Sequence, residues 1–290
     1  MSVPFLDVSH LTAVSTRDRC PVLRDVSISV APGEIHGLVG ESGAGKSTLG
    51  KAILGMLPDT IRPTGGTIRL GGVDLAGLSQ RQRRALVAQS VALVPQDPLS
   101  ALNPAYRIEP QVTDALRRNK GLTRTAARDR VLDLFAQVHL RDPERVLASY
   151  PHELSGGMRQ RVLIAAAFAA EPKLVVADEP TSALDVTVQR EVLRILRDMQ
   201  RRQGTAVVFV THDLGVVAQV CDRVTLLFAG KVVETGPTSR MLDHPGHAYT
   251  QALVAASPRP ETGGGLQPIP AGILQMCRAE IAAFDREVRT

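Results

Sequence analysis

The amino-acid sequence predicts an α/β fold: a mainly parallel sheet flanked by helices, an antiparallel β layer ahead of it and an inserted helical subdomain. Three observations carry that expectation. Short apolar runs at Ile35 to Val39, Leu174 to Ala177 and Thr205 to Val210 alternate with helical patterns, an order that favours parallel strands with helices on both faces. The segment Val22 to Val30 alternates apolar and polar residues and closes at Pro32-Gly33, which reads as a half-buried antiparallel strand. Between Asp97 and Leu154 the patterning is helical, so a helical insertion separates two parts of the α/β core.

Taken in order, Phe5 to Val8 and Val22 to Val30 start the β layer, and Thr67 to Leu70 before Gly71-Gly72 extends it. Ile35 to Val39 is a buried strand, and Lys46 to Leu57 carries Leu49, Ile53, Leu54 and Leu57 at helical spacing. Ser79 to Ala88 reads as a short basic helix and Ser90 to Val94 as a buried strand ending at Pro95-Gln96. Within the insertion, Glu109 to Arg118 and Thr123 to Val138 are helical, the second with Val131, Leu132, Leu134, Phe135 and Val138 on one face. A long helix through Ala170 follows Leu154-Ser155-Gly156-Gly157. Val186 to Gln203 is an amphipathic helix, and Asp222 to Phe228 a further strand. Arg259 to Pro270, rich in Gly and Pro, reads as a linker, and Ile273 to Val288 as an amphipathic helix docking on its own domain or a sister subunit.

Bulk properties bound the function. With 290 residues, 44% apolar and 22% charged, the chain can bury a sizeable core in one large or two modest domains. A net charge of +5, from 34 basic and 29 acidic residues, is too mild to demand nucleic acid as a partner. Cys20, Cys221 and Cys277 lie far apart without a C-x-x-C pair, which points to a reducing compartment and away from a zinc or iron–sulfur cage. The start lacks the charged and apolar regions of a signal peptide, and the longest apolar run, Val162 to Ala170, is about half a membrane span. A membrane role is therefore expected to come through partners.

The chemistry concentrates in a few stretches. Gly40-Glu41-Ser42-Gly43-Ala44-Gly45-Lys46-Ser47-Thr48 fits the phosphate-binding pattern G-x-x-x-x-G-K-[ST], between a strand and a helix as that pattern requires. Backbone N–H groups in a loop with little Cβ crowding can converge on phosphate oxygens, and the following helix adds its positive dipole end. Lys46 is then expected on the β and γ phosphates and the Ser47 hydroxyl on Mg²⁺. Asp178 and Glu179 emerge at the carboxyl end of a buried strand, where ligands sit in open parallel sheets. That placement suits Asp178 to holding Mg²⁺ and Glu179 to orienting water for attack on the γ phosphate.

Together with Gln96-Asp97-Pro98, Leu154-Ser155-Gly156-Gly157, Ser182-Ala183-Leu184-Asp185 and Thr211-His212-Asp213, in that order, these motifs resemble the nucleotide-binding subunit of an ATP-binding cassette (ABC) transporter, from about Val3 to Ser257. The resemblance implies a phosphate-loop ABC ATPase core, a nucleotide-binding domain over 1–258 with its helical subdomain at about 97–170, and a linker and helix in 259–290. It implies that Gln96 touches Mg²⁺ and water, that His212 contacts the γ phosphate, and that Asp185 belongs to a loop crossing a dimer. Ser155, Gly156 and Gly157 open a helix, so their donors face outward, suited to a neighbour's ATP. ATP and Mg²⁺ are the implied cofactors. A second identical or paralogous ATPase subunit, two membrane permease subunits and, indirectly, a periplasmic or extracellular solute-binding protein are the implied partners. The implied location is the cytoplasmic face of the bacterial inner membrane, with Asp97 to Pro104 as docking surface.

Met158 stands where the family more often has Gln, and Val14 to Pro21 offers no aromatic residue for adenine. His244-Pro245-Gly246-His247 and Tyr249 to Pro258 resemble the oligopeptide, dipeptide and nickel importer branch, so peptide import is the expected function and nickel or metal-chelate import the alternative. That branch often continues into a cysteine-rich iron–sulfur segment. Only Cys277 is present there, so no cluster is expected, and His244 and His247 read as loop residues. A soluble ABC ATPase of DNA repair or translation is disfavoured: the 58 residues between Gln96 and Ser155 hold no coiled coil, and the chain has one cassette. Asn119-Lys120-Gly121-Leu122 lacks the acid a GTPase would pair with guanine, and a kinase would explain neither the signature nor His212.

Overall fold

The computed structural model describes residues 3–257 and 269–287. They form two compact units, one from described residues within Met1–Gly77 and Val208–Thr290, the other from Leu78–Val207. In chain order the first unit begins with β1 (Leu6–Ser15), β2 (Pro21–Val30), β3 (Ile35–Val39), α1 (Lys46–Ile53), β4 (Ile61–Leu70) and β5 (Val73–Asp74). The second holds α2 (Gln80–Ser90), β6 (Val91–Val94), α3 (Pro98–Ala101), α4 (Ile108–Lys120), α5 (Arg124–Gln137), α6 (Pro143–Ala148), α7 (Gly156–Ala169), β7 (Leu174–Asp178) and α8 (Val186–Gln203). β8 (Ala206–Thr211) returns the chain to the first unit, which ends with α9 (Leu214–Val220), β9 (Arg223–Phe228), β10 (Lys231–Pro237), α10 (Thr238–Asp243), α11 (Ala248–Ala256) and α12 (Ala271–Glu287). Of the linker expected at 259–270, residues 259–268 lie outside the described residues, as does Val288.

In the first unit the strands run in the order β5-β4-β1-β2-β10-β9-β3-β8. β1 pairs antiparallel with β2 and β4, β4 with β5, and β9 with β10, while β3 and β9 are parallel. The sheet is thus mixed, with β10 also parallel to β2 where Lys231 lies opposite Arg24. The antiparallel layer is larger than the sequence suggested. β1 continues past Val8 because register shifts absorb His10, whose φ is +54°, and β4 starts at Ile61 despite Pro63, Gly65 and Gly66, residues tolerated at such irregularities. α1 stops at Ile53, four residues before the expected end. Gly55 at φ +64° donates to the Ala52 carbonyl at 3.0 Å and Met56 to that of Lys51 at 2.8 Å, a glycine-based helix stop. Leu38, Val39, Leu49, Ile53 and Leu227 are fully buried and fix the turn between β3 and α1.

In the second unit β6 and β7 are parallel, Val94 opposite Ala177. Val162, Ile164 and Phe168 of α7 and Val131 and Phe135 of α5 fill its core. α8 spans Val186–Gln203 as its periodicity predicts, burying Val192, Leu193, Ile195, Leu196 and Met199.

Candidate functional site

The first unit carries the phosphate loop. All five residues of β3 are buried, so the loop leaves the sheet from a fixed point. A Cβ built on Gly40 would lie 2.2 Å from the Leu227 carbonyl oxygen, a close approach that only glycine permits. Gly45 precedes α1 with no side-chain cap, which leaves first-turn N–H donors and the helix dipole for an anion. Lys46 is 5% exposed, and its Nζ donates to the carbonyls of Gly40 at 2.7 Å and Glu41 at 2.9 Å. Those bonds hold the ammonium across the loop's own backbone. Ser47 and Thr48 follow, half-buried, while Glu41, Ser42 and Gly43 are exposed and Ala44 is buried. His212 is exposed in the same unit, between the end of β8 and Asp213, whose carboxylate caps α9 by accepting from the N–H of Gly215 at 2.7 Å.

The second unit carries the acids. Asp178 ends β7 and is half-buried, and Glu179 follows at φ +43°. Gln96 lies two residues beyond the end of β6, and its Nε2 donates to Glu179 Oε2 at 3.1 Å. The parallel register of β6 and β7 produces that contact, because it delivers both strand ends to one side. Sequence motifs placed both residues in the site but gave no sign that they touch.

The signature stands in the second unit too. Ser155 caps α7, its hydroxyl accepting from the Met158 N–H at 3.3 Å. Gly156 and Gly157 form the first turn, and a Cβ on Gly157 would come within 2.8 Å of Val188 on α8. Asp185 caps α8 through Oδ1, accepting from Thr187 at 3.1 Å and Val188 at 3.0 Å. Ser155, Gly156, Gly157 and Asp185 line one cleft of about 680 Å³ with His139, Arg141 and Glu191. The two helix N-termini therefore share a single concave surface.

Ser47 hydroxyl, Asp178 carboxylate and Gln96 amide are hard oxygen donors, the chemistry that Mg²⁺ accepts when it keeps part of its water shell. Each residue suits the ion by donor type, Ser47 in the first unit and Asp178 and Gln96 in the second.

The family model described as ABC transporter matches residues 23–182. The probable D,D-dipeptide transport ATP-binding protein DdpD of Escherichia coli (strain K12) is 43% identical over 279 residues, covering 93% of this chain and 83% of the relative. The dipeptide transport ATP-binding protein DppD of the same organism is 44% identical, covering 80% of this chain and 71% of the relative. Among solved structures, the dimeric post-hydrolysis state of the ATP-binding cassette MJ0796 bound to ADP and Pi superimposes with a TM-score of 0.71 at 26% identity, covering 80% of this chain and 98% of that one. With the phosphate loop, the strand-end acids and the signature all in place, the chain belongs to the ABC transporter family, as one of its ATP-hydrolysing cassettes.

Proposed function

We propose that this cassette powers the import of di- and oligopeptides through two separate membrane permease subunits, hydrolysing ATP in sites that it shares with a second, identical or paralogous cassette. The observation that carries the catalytic part is the Gln96–Glu179 contact, which orients the carboxylate that must act as base. Similarity to dipeptide transport subunits supports the cargo.

In this reading Lys46 and the N–H groups of Gly43 to Thr48 bind the β and γ phosphates. Glu179 accepts the proton of the attacking water as the bond between the γ phosphorus and the bridging oxygen breaks, and His212 holds the γ phosphate. Ser47, Asp178 and Gln96 would hold Mg²⁺, which supplies charge neutralisation on the β and γ oxygens. Ser155, Gly156 and Gly157 serve the γ phosphate of the ATP held by the partner cassette. Leu99 within the segment 97–104 proposed to dock on a permease, and Tyr106 two residues beyond it, are 63% and 59% exposed. The cassette would then sit peripherally on the cytoplasmic face of the inner membrane and take cargo delivered by a solute-binding protein outside.

Glu179→Gln tests the assignment. ATP binding should persist while steady-state hydrolysis falls by about 10²- to 10⁴-fold, the range for loss of a general base. Hydrolysis at the unaltered rate would contradict the role given to Glu179.

A further inference from the structure

The helices α11 and α12 have no part in the mechanism above, yet within the first unit both pack on the strands that carry the turn behind the phosphate loop. Arg24 on β2 makes a two-pronged bond to Asp285 of α12, Nε to Oδ1 at 2.8 Å and Nη2 to Oδ2 at 3.0 Å. The same guanidinium donates through Nη1 to the carbonyls of Pro21 at 3.0 Å and Ala229 at 2.5 Å, and the Arg24 N–H donates to the Gly230 carbonyl at 2.7 Å. Ala229 and Gly230, at φ +45° and +80°, form the tight turn between β9 and β10. Gly230 in turn donates to the carbonyl of Ala44, in the phosphate loop, at 3.0 Å. A continuous chain of bonds therefore runs from Asp285 through Arg24 and the turn to the loop. α12 is anchored beside it by Lys231, whose Nζ lies 4.0 Å from the centre of the Phe284 ring, and by His247 and Glu280 at 3.4 Å. From α11, Tyr249 is fully buried against Phe228, ring centres 4.9 Å apart, and Phe228 is the residue just before the Ala229-Gly230 turn.

We propose that the C-terminal helices brace the phosphate loop and that Asp285 is a positioning residue for ATP, acting through Arg24 and the Ala229-Gly230 turn. A guanidinium has a fixed planar fork, so a carboxylate that takes both prongs sets its orientation and hence that of the carbonyls it holds. Without Asp285, Arg24 keeps its two carbonyl acceptors but loses the partner that fixes its plane. The strained Ala229 then loses part of the support that such a conformation needs. The loop's N–H groups would sample more orientations, and the cost would fall on nucleotide binding. This rests on the reading of Gly40 to Thr48 as the ATP loop.

The test is calorimetric titration of the purified full chain with MgATP, alongside thermal unfolding without nucleotide. Asp285→Ala should weaken binding about five- to tenfold, as for loss of one charge-assisted pair, and Asp285→Glu should restore most of it. Glu280→Gln loosens the same helix without touching the fork and should shift the unfolding midpoint without shifting the affinity. The inference is overturned if Asp285→Ala binds MgATP within twofold of the unaltered chain, or if Glu280→Gln weakens binding as much as Asp285→Ala does. Lys46→Ala separates the two readings: a chain whose MgATP affinity ignores that change would refute the ATP loop itself.

Discussion

Glu179 is proposed to work in a backbone conformation that costs energy to hold, since φ of +43° is strained for a residue with a side chain. The turn that holds it is visible: the Ser182 N–H and hydroxyl both donate to its carbonyl, at 3.2 and 3.1 Å. With Gln96 on the carboxylate, backbone and side chain are both fixed before a substrate arrives. Glu234 shows the same principle in a structural role. It accepts from the Thr250 hydroxyl at 2.6 Å and from the N–H groups of Gly246 and His247 at 2.9 and 3.0 Å, tying β10 to the start of α11. Burial works against its charge, but these donors outweigh burial and keep the carboxyl below the ordinary glutamate range. A carboxyl depressed on folding contributes stability that is present above its unfolded pKa, about 4.3, and lost as the pH falls through its folded value. Glu234→Gln should therefore lower unfolding stability by about 1 to 3 kcal/mol at pH 7, with the gap closing toward pH 3. A denaturant titration showing the same gap at both pH values would contradict this.

At the scale of elements, α7 and α8 must approach closely at their first turns, because Gly157 leaves no room for a Cβ beside Val188. Gly157→Ala should force the two N-termini apart, cost about 1 to 3 kcal/mol as overpacking does, and lower hydrolysis in the assembled transporter. A substitution to alanine that leaves both melting and turnover unchanged would show that the cleft is not held by this contact. Much of this architecture was legible in the sequence. β7, β8 and α8 announce themselves by apolar runs or a clean helical stripe, β3 by a short, mainly apolar stretch before the glycine-rich loop, and the motifs sit at their ends. What was hidden depends on pairing between distant residues. β4 runs through Pro63, Gly65 and Gly66, and only the register with β1 makes a strand of them. β10 lacks an apolar run and is defined by its ladder to β9. The reach of Asp285 to Arg24 and of Gln96 to Glu179 spans 261 and 83 positions, which no local pattern encodes. Asp185, expected from the family resemblance in a dimer-crossing loop, is seen capping its own helix, a local use that its spacing to Val188 permits.

For the whole molecule, the division of labour is the proposed two-cassette cycle. In that proposal one chain would hold phosphate through Lys46 and its loop, while the helix openings at Ser155 and Asp185 line a second surface in a different unit of the chain. Pairing two cassettes head to tail lets each use its signature on the other's ATP, and closure on two nucleotides is then available to drive permeases. The most direct measurement uses a pair of cassettes in the assembled transporter, both carrying Glu179→Gln, with Lys46→Ala in one and Ser155→Arg in the other. Shared pockets put both lesions in the same site and leave the other intact, so one ATP should be trapped per pair. Retention of no ATP, with two retained when Glu179→Gln is the sole change, would mean that each pocket is built from a single chain.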